Sequence, residues 1–201
     1  MHPPTVFVID DDPAMRQSMS RLLDSVSLPA ETFESAKDFL DVYEPDRPGC
    51  LVVDVRMPGM SGLELQDKLI ELGYRVPLII VTGHGDVPMA VNAVKRGALD
   101  FVEKPFRAQP LLDRIQEALE RDAELRQREN KRQRVAARLS NLTPREREVM
   151  EMLVRGQSVK QIAADVGLSH KTVQVHRAHI MEKTQANSLP DLVHLAAAVE
   201  V

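Results

Sequence analysis

The sequence has no tryptophan, only two tyrosines and five phenylalanines, and a single cysteine, Cys50. A lone cysteine cannot form an internal disulfide, which argues against a disulfide-stapled secreted scaffold and favours a reducing compartment. No apolar run approaches the roughly 20 residues that a membrane span requires. The first residues also lack the basic start and small-residue cleavage site of a secretory signal. We therefore expect a cytoplasmic protein that does not insert into membranes.

Charge is distributed unevenly along the 201 residues, although the formal net charge is only -4. Residues 1–120 carry 12 Lys/Arg against 20 Asp/Glu, residues 121–139 carry 7 against 3, and residues 140–201 carry 7 against 7. The acidic first part suits a cation or phosphate-metal site. The basic segment permits nucleic-acid binding without demonstrating it.

Short apolar runs alternate with longer helix-like stretches over residues 1–120, which indicates a βα alternation. Three of the runs are almost wholly apolar, as is typical of central parallel strands that are covered on both faces. The pattern predicts an open, doubly wound α/β domain with a five-stranded parallel sheet. The predicted strands are 5–9, 30–33, 50–55, 76–82 and 99–104.

Residues 121–139 are predicted to be a charged linker, because apolar residues almost vanish between 126 and 134. The pattern leaves open whether this linker is a solvated helical extension or a flexible tether. Beyond it, Thr143 and Glu146 form a predicted capping box that begins a helix. Three more short helices are predicted near 158–166, 170–184 and 188–199, so residues 140–201 are expected to form an all-α four-helix domain with a helix-turn-helix.

Polar residues stand at the carboxyl ends of the predicted strands, where doubly wound sheets bind ligands. Asp10 and Asp11 end the first strand, Asp54 ends the third, Thr82 the fourth and Lys104 the fifth. Carboxylates that converge on one rim repel one another unless a cation neutralises them, and an oxygen-rich site of this kind suits Mg²⁺. Asp12 is excluded from the set, since Pro13 follows it and the pair resembles a helix N-cap.

Asp54 is the predicted nucleophile, because a strand-held carboxylate beside a cation can attack phosphorus. Lys104 would contact phosphoryl oxygens, and the Thr82 hydroxyl would donate a hydrogen bond to them. Each has a simpler alternative: Thr82 could merely begin a turn, and Lys104 could be an ordinary surface lysine.

Four stretches of the first domain resemble the receiver of two-component response regulators: "IDDDPAMR", "VVDVRMPGMSGLEL", "VTGHGDVPMAV" and "FVEKPF". The stretches "LTPREREVMEMLVRG", "KQIAADVGLSHKTVQVHRAHIMEK" and "SLPDLVHLA" resemble the NarL/FixJ (LuxR-type) helix-turn-helix. The resemblance spans the whole chain and is strongest to the FixJ-like branch. It implies a receiver domain of flavodoxin-like fold followed by a DNA-binding domain.

The resemblance implies that Asp54 accepts a phosphoryl group from a sensor histidine kinase, as a 4-aspartylphosphate, with Thr82 and Lys104 assisting. It also implies that Asp11, Asp54 and the backbone carbonyl of Arg56 ligate Mg²⁺, with Asp10 binding through water. The implied switch comprises Thr82, Phe101 and a cis peptide bond before Pro105. His84 lies where related receivers tune hydrolysis, and we assign it no catalytic role.

The predicted recognition helix carries the DNA contacts that the resemblance implies. Gln174, Val175 and Ala178 would face bases, whereas Lys171, Arg177 and Lys183 would hold phosphates. Thr172 completes the expected contact set. A solvated helix face is the alternative for these charges. Many relatives have lysine at one or both of the polar base-facing sites, which leaves the target sequence open.

The expected function is that of a response regulator that is phosphorylated on Asp54, dimerises through residues 87–119, and binds promoter DNA. It would regulate transcription, most simply by activating RNA polymerase. We expect a phosphoacceptor with at most slow self-dephosphorylation rather than an enzyme. One alternative is a haloacid-dehalogenase-type phosphohydrolase, although Arg56 stands where such enzymes have a second aspartate. The other is a phosphorylation-independent DNA-binding or scaffold protein with a degenerate receiver.

Overall fold

The computed structural model describes residues 3–83 and 87–198, and the chain divides into two compact units, Met1–Arg126 and Gln127–Val201. His84 lies outside the described residues. Within the described part of the chain, no helix is both long enough and apolar enough to span a bilayer.

The two units contain five strands and nine helices among the described residues. In chain order they are β1 Thr5–Ile9, α1 Pro13–Ser25, β2 Ala30–Phe33, α2 Ala36–Val42, β3 Gly49–Asp54, α3 Gly62–Glu71, β4 Leu78–Thr82, α4 Val87–Lys95, β5 Asp100–Glu103, α5 Ala108–Ser140, α6 Pro144–Val154, α7 Val159–Asp165, α8 His170–Thr184 and α9 Leu189–Ala197.

The five strands form one parallel sheet in the order β2-β1-β3-β4-β5, which confirms the predicted doubly wound fold. Strands β1, β3 and β4 are buried along their whole length, as their apolar sequences predict. The predicted strand 76–82 begins two residues later, at Leu78. Pro77 has no backbone N–H to donate, and it joins the sheet only through its carbonyl, which accepts the N–H of Leu51 at 2.8 Å.

Side chains alternate between the two faces of the sheet, and helices cover both. Phe7, Leu51 and Ile80 pack on the side of helices α2, α3 and α4. Val8, Val52 and Cys50 pack on the side of helices α1 and α5. Cys50 is buried in β3, and this burial raises the pKa of its thiol to about 12, which disfavours a reactive thiolate.

Helix α5 continues past residue 120, and its next turns are fixed to the sheet unit. The buried Asp122 carboxylate accepts the backbone N–H of Gly49 at 2.9 Å and Arg126 Nε at 2.7 Å, both at Oδ2. Arg126 also donates to the carbonyl of Arg47 at 2.6 Å. The segment 121–139 is thus helical, and its first residues belong to the compact unit that contains the sheet.

The second unit is an all-α domain, as predicted. Helices α6 to α9 surround a core that includes Val149, Ile162, Val173 and Ile180. Ser158 and Ser169 cap helices α7 and α8, with α7 ending just before Gly167. The last turns of α5 add Val135 and Leu139 to the same core.

Gly49 is the first residue of β3 and stands at a position where a side chain does not fit. A Cβ there would lie 2.0 Å from the carbonyl oxygen of Thr5 on the adjacent strand. We expect Gly49→Ala to lower the free energy of unfolding of the sheet unit by about 1–3 kcal/mol, the usual cost of overpacking. Denaturant unfolding measures the change. Gly83→Ala is the matched control, because a Cβ at Gly83 meets no atom within 4 Å; equal losses in the two variants would contradict the explanation.

Candidate functional site

Asp10 and Asp54 meet because their strands are neighbours. Strands β1 and β3 pair in parallel with Ile9 opposite Val53, so the next residues, Asp10 and Asp54, emerge together at the carboxyl edge. The chain order of the sheet changes direction at these two strands, which is where doubly wound sheets bind ligands. Lys104 follows β5 and reaches the same edge.

Lys104 binds both carboxylates. Its Nζ lies 2.7 Å from Asp10 Oδ2 and 2.8 Å from Asp54 Oδ1. The second oxygen of each carboxylate accepts a backbone N–H, that of Asp12 at Asp10 Oδ1 (2.9 Å) and that of Arg56 at Asp54 Oδ2 (2.8 Å). The two aspartates are buried and Lys104 is half-buried. The predicted convergence of these three residues is therefore confirmed.

Burial and hydrogen bonding act in opposite directions on the pKa values of Asp10 and Lys104. Desolvation raises the pKa of Asp10 above its ordinary value, and the hydrogen bonds from Lys104 and Asp12 only partly offset it. Burial acts on Lys104 in the opposite direction, but its hydrogen bonds to Asp10 and Asp54 outweigh burial, so the pKa of Lys104 is raised. The ammonium therefore stays charged, and this one cationic group faces two carboxyl side chains.

Among the described residues, neither the Asp11 nor the Asp12 side chain forms a hydrogen bond with Asp10, Asp54 or Lys104. Asp12 caps helix α1 by accepting the N–H of Ala14 at 2.8 Å, as predicted. Asp11 is exposed. Over residues 3–83 and 87–198, no group of three or more His, Cys, Asp or Glu side chains is arranged to hold a metal ion. Asp11 and the carbonyl of Arg56 as metal ligands stay predictions.

The residues present nevertheless fit Mg²⁺, which commonly uses one or two protein carboxylates and keeps several waters. Asp10 and Asp54 supply two carboxylates that are already held by backbone N–H groups. Both side chains are buried and share a single ammonium group, so an added cation would further stabilise their anionic forms.

The structure also describes the three residues of the implied switch, Thr82, Phe101 and Pro105. Thr82 ends β4 and is buried, and its carbonyl accepts the N–H of Lys104 at 2.8 Å. The Lys104–Pro105 peptide bond is cis, as the resemblance implies. Phe101 is half-buried in β5. Gly62 packs so closely on Asp54 that a Cβ would lie 2.3 Å from the Asp54 carbonyl oxygen, which explains a glycine at this position.

Helix α8 presents an exposed stripe opposite its buried residues. Val173, Ile180 and Thr184 are buried in the second unit. The exposed face follows the i, i+3, i+4, i+7 spacing of a helix surface and carries Lys171, Gln174, Val175 and Ala178, with Arg177 exposed beside it. An exposed helix of this kind can enter a major groove. Thr172 is half-buried, and its hydroxyl lies 2.8 Å from that of Ser169.

Comparison with known proteins matches each unit to a family. The response regulator receiver domain matches residues 6–116, and the luxR family of bacterial regulatory proteins matches residues 140–196. FixJ of Azorhizobium caulinodans is 48% identical over 191 residues, covering 95% of this chain and 90% of the relative. Nodulation protein W of Bradyrhizobium diazoefficiens is 43% identical over 196 residues, covering 98% of this chain and 86% of the relative.

Solved structures agree with this assignment. The response regulator StyR has a TM-score of 0.89 at 45% identity and covers 96% of this chain and 98% of its own. Full-length FixJ from B. japonicum has a TM-score of 0.60 at 44% identity, with coverage of 100% and 98%. The chain belongs to the response-regulator family. It carries a receiver and a LuxR-type DNA-binding domain.

The DNA-binding unit of this response regulator contains an ion pair that sequence reasoning missed. The buried Glu146 carboxylate accepts Lys183 Nζ at 2.7 Å, together with the backbone N–H of Thr143 at 2.8 Å. These bonds lower the pKa of Glu146 to about 2. Lys183 therefore connects α8 to the start of α6. This structural role is separate from the phosphate contact predicted for Lys183. That phosphate contact stays a prediction.

Stability of the DNA-binding unit should depend on pH through Glu146. Its pKa is lower in the folded state than the ordinary value of 4.5, so its contribution is complete above about pH 4.5 and is lost as pH falls toward about 2. We expect Glu146→Gln to lower the free energy of unfolding at pH 7 by roughly 1–3 kcal/mol, because Lys183 loses its partner.

Thermal or denaturant unfolding of wild type and variant between pH 7 and pH 2.5 tests this expectation. The difference between the two proteins should shrink below pH 4.5. Glu148→Gln is the control, since Glu148 forms an exposed pair with Arg145. A difference that stays constant down to pH 2.5 would contradict the assignment.

Proposed function

We propose that this response regulator is phosphorylated on Asp54 by a sensor histidine kinase in a Mg²⁺-dependent reaction. The observation that carries the proposal is the lysine shared by two buried carboxylates at the carboxyl edge of a receiver sheet. Asp54 is the member that ends a strand, so its carboxylate is held rigidly beside a cationic group.

In the proposed transfer, a carboxylate oxygen of Asp54 attacks phosphorus and forms the P–O bond of an acyl phosphate. The P–N bond to the kinase histidine breaks, and the imidazole leaves with that electron pair. Lys104 already lies 2.8 Å from Asp54 Oδ1 and would follow the charge onto the phosphoryl oxygens. Bound Mg²⁺ would supply the remaining positive charge against those oxygens.

Phosphorylation would add about -1.5 to -2 charges at pH 7 at a site where two carboxyl side chains already share one ammonium group. Lys104 and Thr82 would move to meet the new group. The hydrogen bond from the Lys104 backbone N–H to the Thr82 carbonyl would couple these movements. The surface formed by α4, β5 and the start of α5 would be remodelled as a consequence. Val91 and Val94 of α4 are exposed large apolar side chains that suit a dimer interface on that surface.

Dimerisation would bring two DNA-binding domains to two half-sites of a promoter. Gln174 can read adenine bidentately, and Val175 and Ala178 can contact a thymine methyl group. Lys171 and Arg177 would hold phosphates. The bound dimer would activate transcription by RNA polymerase. The protein acts in this scheme as an acceptor of one phosphoryl group, in the cytoplasm, and not as a turnover enzyme.

The first test replaces the phosphoacceptor. Asp54→Asn should abolish phosphorylation by acetyl phosphate with Mg²⁺, measured as an acid-stable, base-labile phosphate by intact mass and phosphate-affinity electrophoresis. Asp12→Asn is the matched control, because asparagine caps a helix as well as aspartate does. Phosphorylation of the Asp54→Asn variant, or sustained phosphate release from an ester by the wild type, would contradict the proposal.

The second test addresses the dimer. Val91→Glu/Val94→Glu should leave phosphorylation of Asp54 intact while the phosphorylated protein stays monomeric, since four carboxylates would face one another across the interface. Sedimentation or light scattering with and without beryllofluoride measures this. Val42→Glu is the control, an exposed valine on α2 (58% exposed). Dimerisation of the double variant would place the interface elsewhere.

A further inference from the structure

The DNA-binding unit owes its positive charge to one segment outside the helix-turn-helix. Residues 140–201 carry seven Lys/Arg and seven Asp/Glu, so they are neutral. Residues 127–139 of helix α5 carry five Lys/Arg against Glu129 alone. DNA binding depends on cations that displace counterions from phosphates. The unit therefore concentrates its electrostatic attraction for DNA on the end of α5.

Three of these cations share one face of the helix. Lys131, Arg134 and Arg138 are three and four residues apart, the spacing that aligns side chains along a helix. Lys131 and Arg134 are exposed and Arg138 is half-buried. In the described part of the chain, no acidic side chain pairs with any of the three. We call this set the basic stripe.

The basic stripe is fixed to the DNA-binding unit. Val135 lies between Arg134 and Arg138, Leu139 directly follows Arg138, and both apolar side chains are buried in the core that α6 to α9 also form. Arg147 of α6 donates to the carbonyl of Leu139 at 2.9 Å. The stripe must accordingly keep a constant position relative to the recognition helix of its own unit, as a DNA contact requires.

We infer that the basic stripe is a second DNA contact, which binds phosphates flanking the bases read by helix α8. This inference rests on the proposed function, because it takes DNA as the ligand. A contact to phosphates adds affinity and positions the protein, but it does not distinguish sequences. The stripe therefore strengthens binding to target and non-target DNA alike, and it lengthens the protected site beyond the helix-turn-helix footprint.

The test compares the full-length wild type with Lys131→Gln/Arg134→Gln/Arg138→Gln, in which glutamine preserves helix propensity. Both proteins are activated with beryllofluoride. The probes are a duplex selected from genomic DNA by the activated wild type and a duplex of the same composition in shuffled order, with affinity measured by fluorescence anisotropy at several salt concentrations.

We expect the triple variant to bind both duplexes roughly 10- to 100-fold more weakly, with the slope of log K against log salt reduced by about 5, because each of the two protomers loses three phosphate contacts at about 0.9 each. The ratio between the duplexes should stay within about twofold, because phosphate contacts carry no sequence information. Hydroxyl-radical footprints should be shorter in the variant. Circular dichroism checks that α5 remains helical.

The matched control is Arg21→Gln/Lys37→Gln/Arg75→Gln, which removes three exposed cations from the sheet unit. An equal loss of affinity in the control would show that DNA affinity depends on the net charge of the protein and not on the basic stripe, and it would overturn the inference. An unchanged salt slope in the stripe variant would also overturn the inference. Tighter DNA binding by the stripe variant would overturn it too, because the basic stripe would then bind an acidic protein surface and not DNA. Failure of the wild type to bind any selected duplex would instead contradict the proposed function.

Discussion

The sharing of one ammonium group by two buried carboxylates is the constraint on which the receiver depends. Asp10 and Asp54 lie on adjacent strands and would repel each other across the edge of the sheet without Lys104. Lys104 arrives from a third strand, 50 residues after Asp54 in sequence. Every element between them, including the crossover helices and the edge strand β5, has to be in register for this contact to form. The fold and the site are therefore specified together.

Much of this arrangement could be predicted from the sequence because it follows from local pattern and strand order. The apolar runs predicted the five strands. The polar residues at the carboxyl ends of β1, β3, β4 and β5 predicted the functional site. The caps at Asp12, Thr143, Ser158 and Ser169 are each set by residues within three positions. Most peptide bonds before proline are trans, so only the resemblance indicated the cis bond before Pro105 that the structure contains.

The contacts that escaped prediction join residues that are distant in sequence. Asp122 was assigned to a charged linker, yet its carboxylate binds the N–H of Gly49, 73 residues earlier. Lys183 was grouped with DNA-contacting cations, yet it pairs with Glu146, 37 residues away. A charged side chain in a charged run carries no local signal of its partner. The one available hint was the i, i+4 spacing of Asp122 and Arg126, which pair with each other.

The burial of Val135 and Leu139 bears on where the protein can be divided. The luxR-family match begins at residue 140, but the apolar core of that unit begins five residues earlier. A protease or a gene truncation that cuts at the family boundary would strip two side chains from the interior and expose the apolar surface beneath them. An autonomous DNA-binding fragment of this protein consequently has to retain the end of α5, together with the helical turn that precedes Val135.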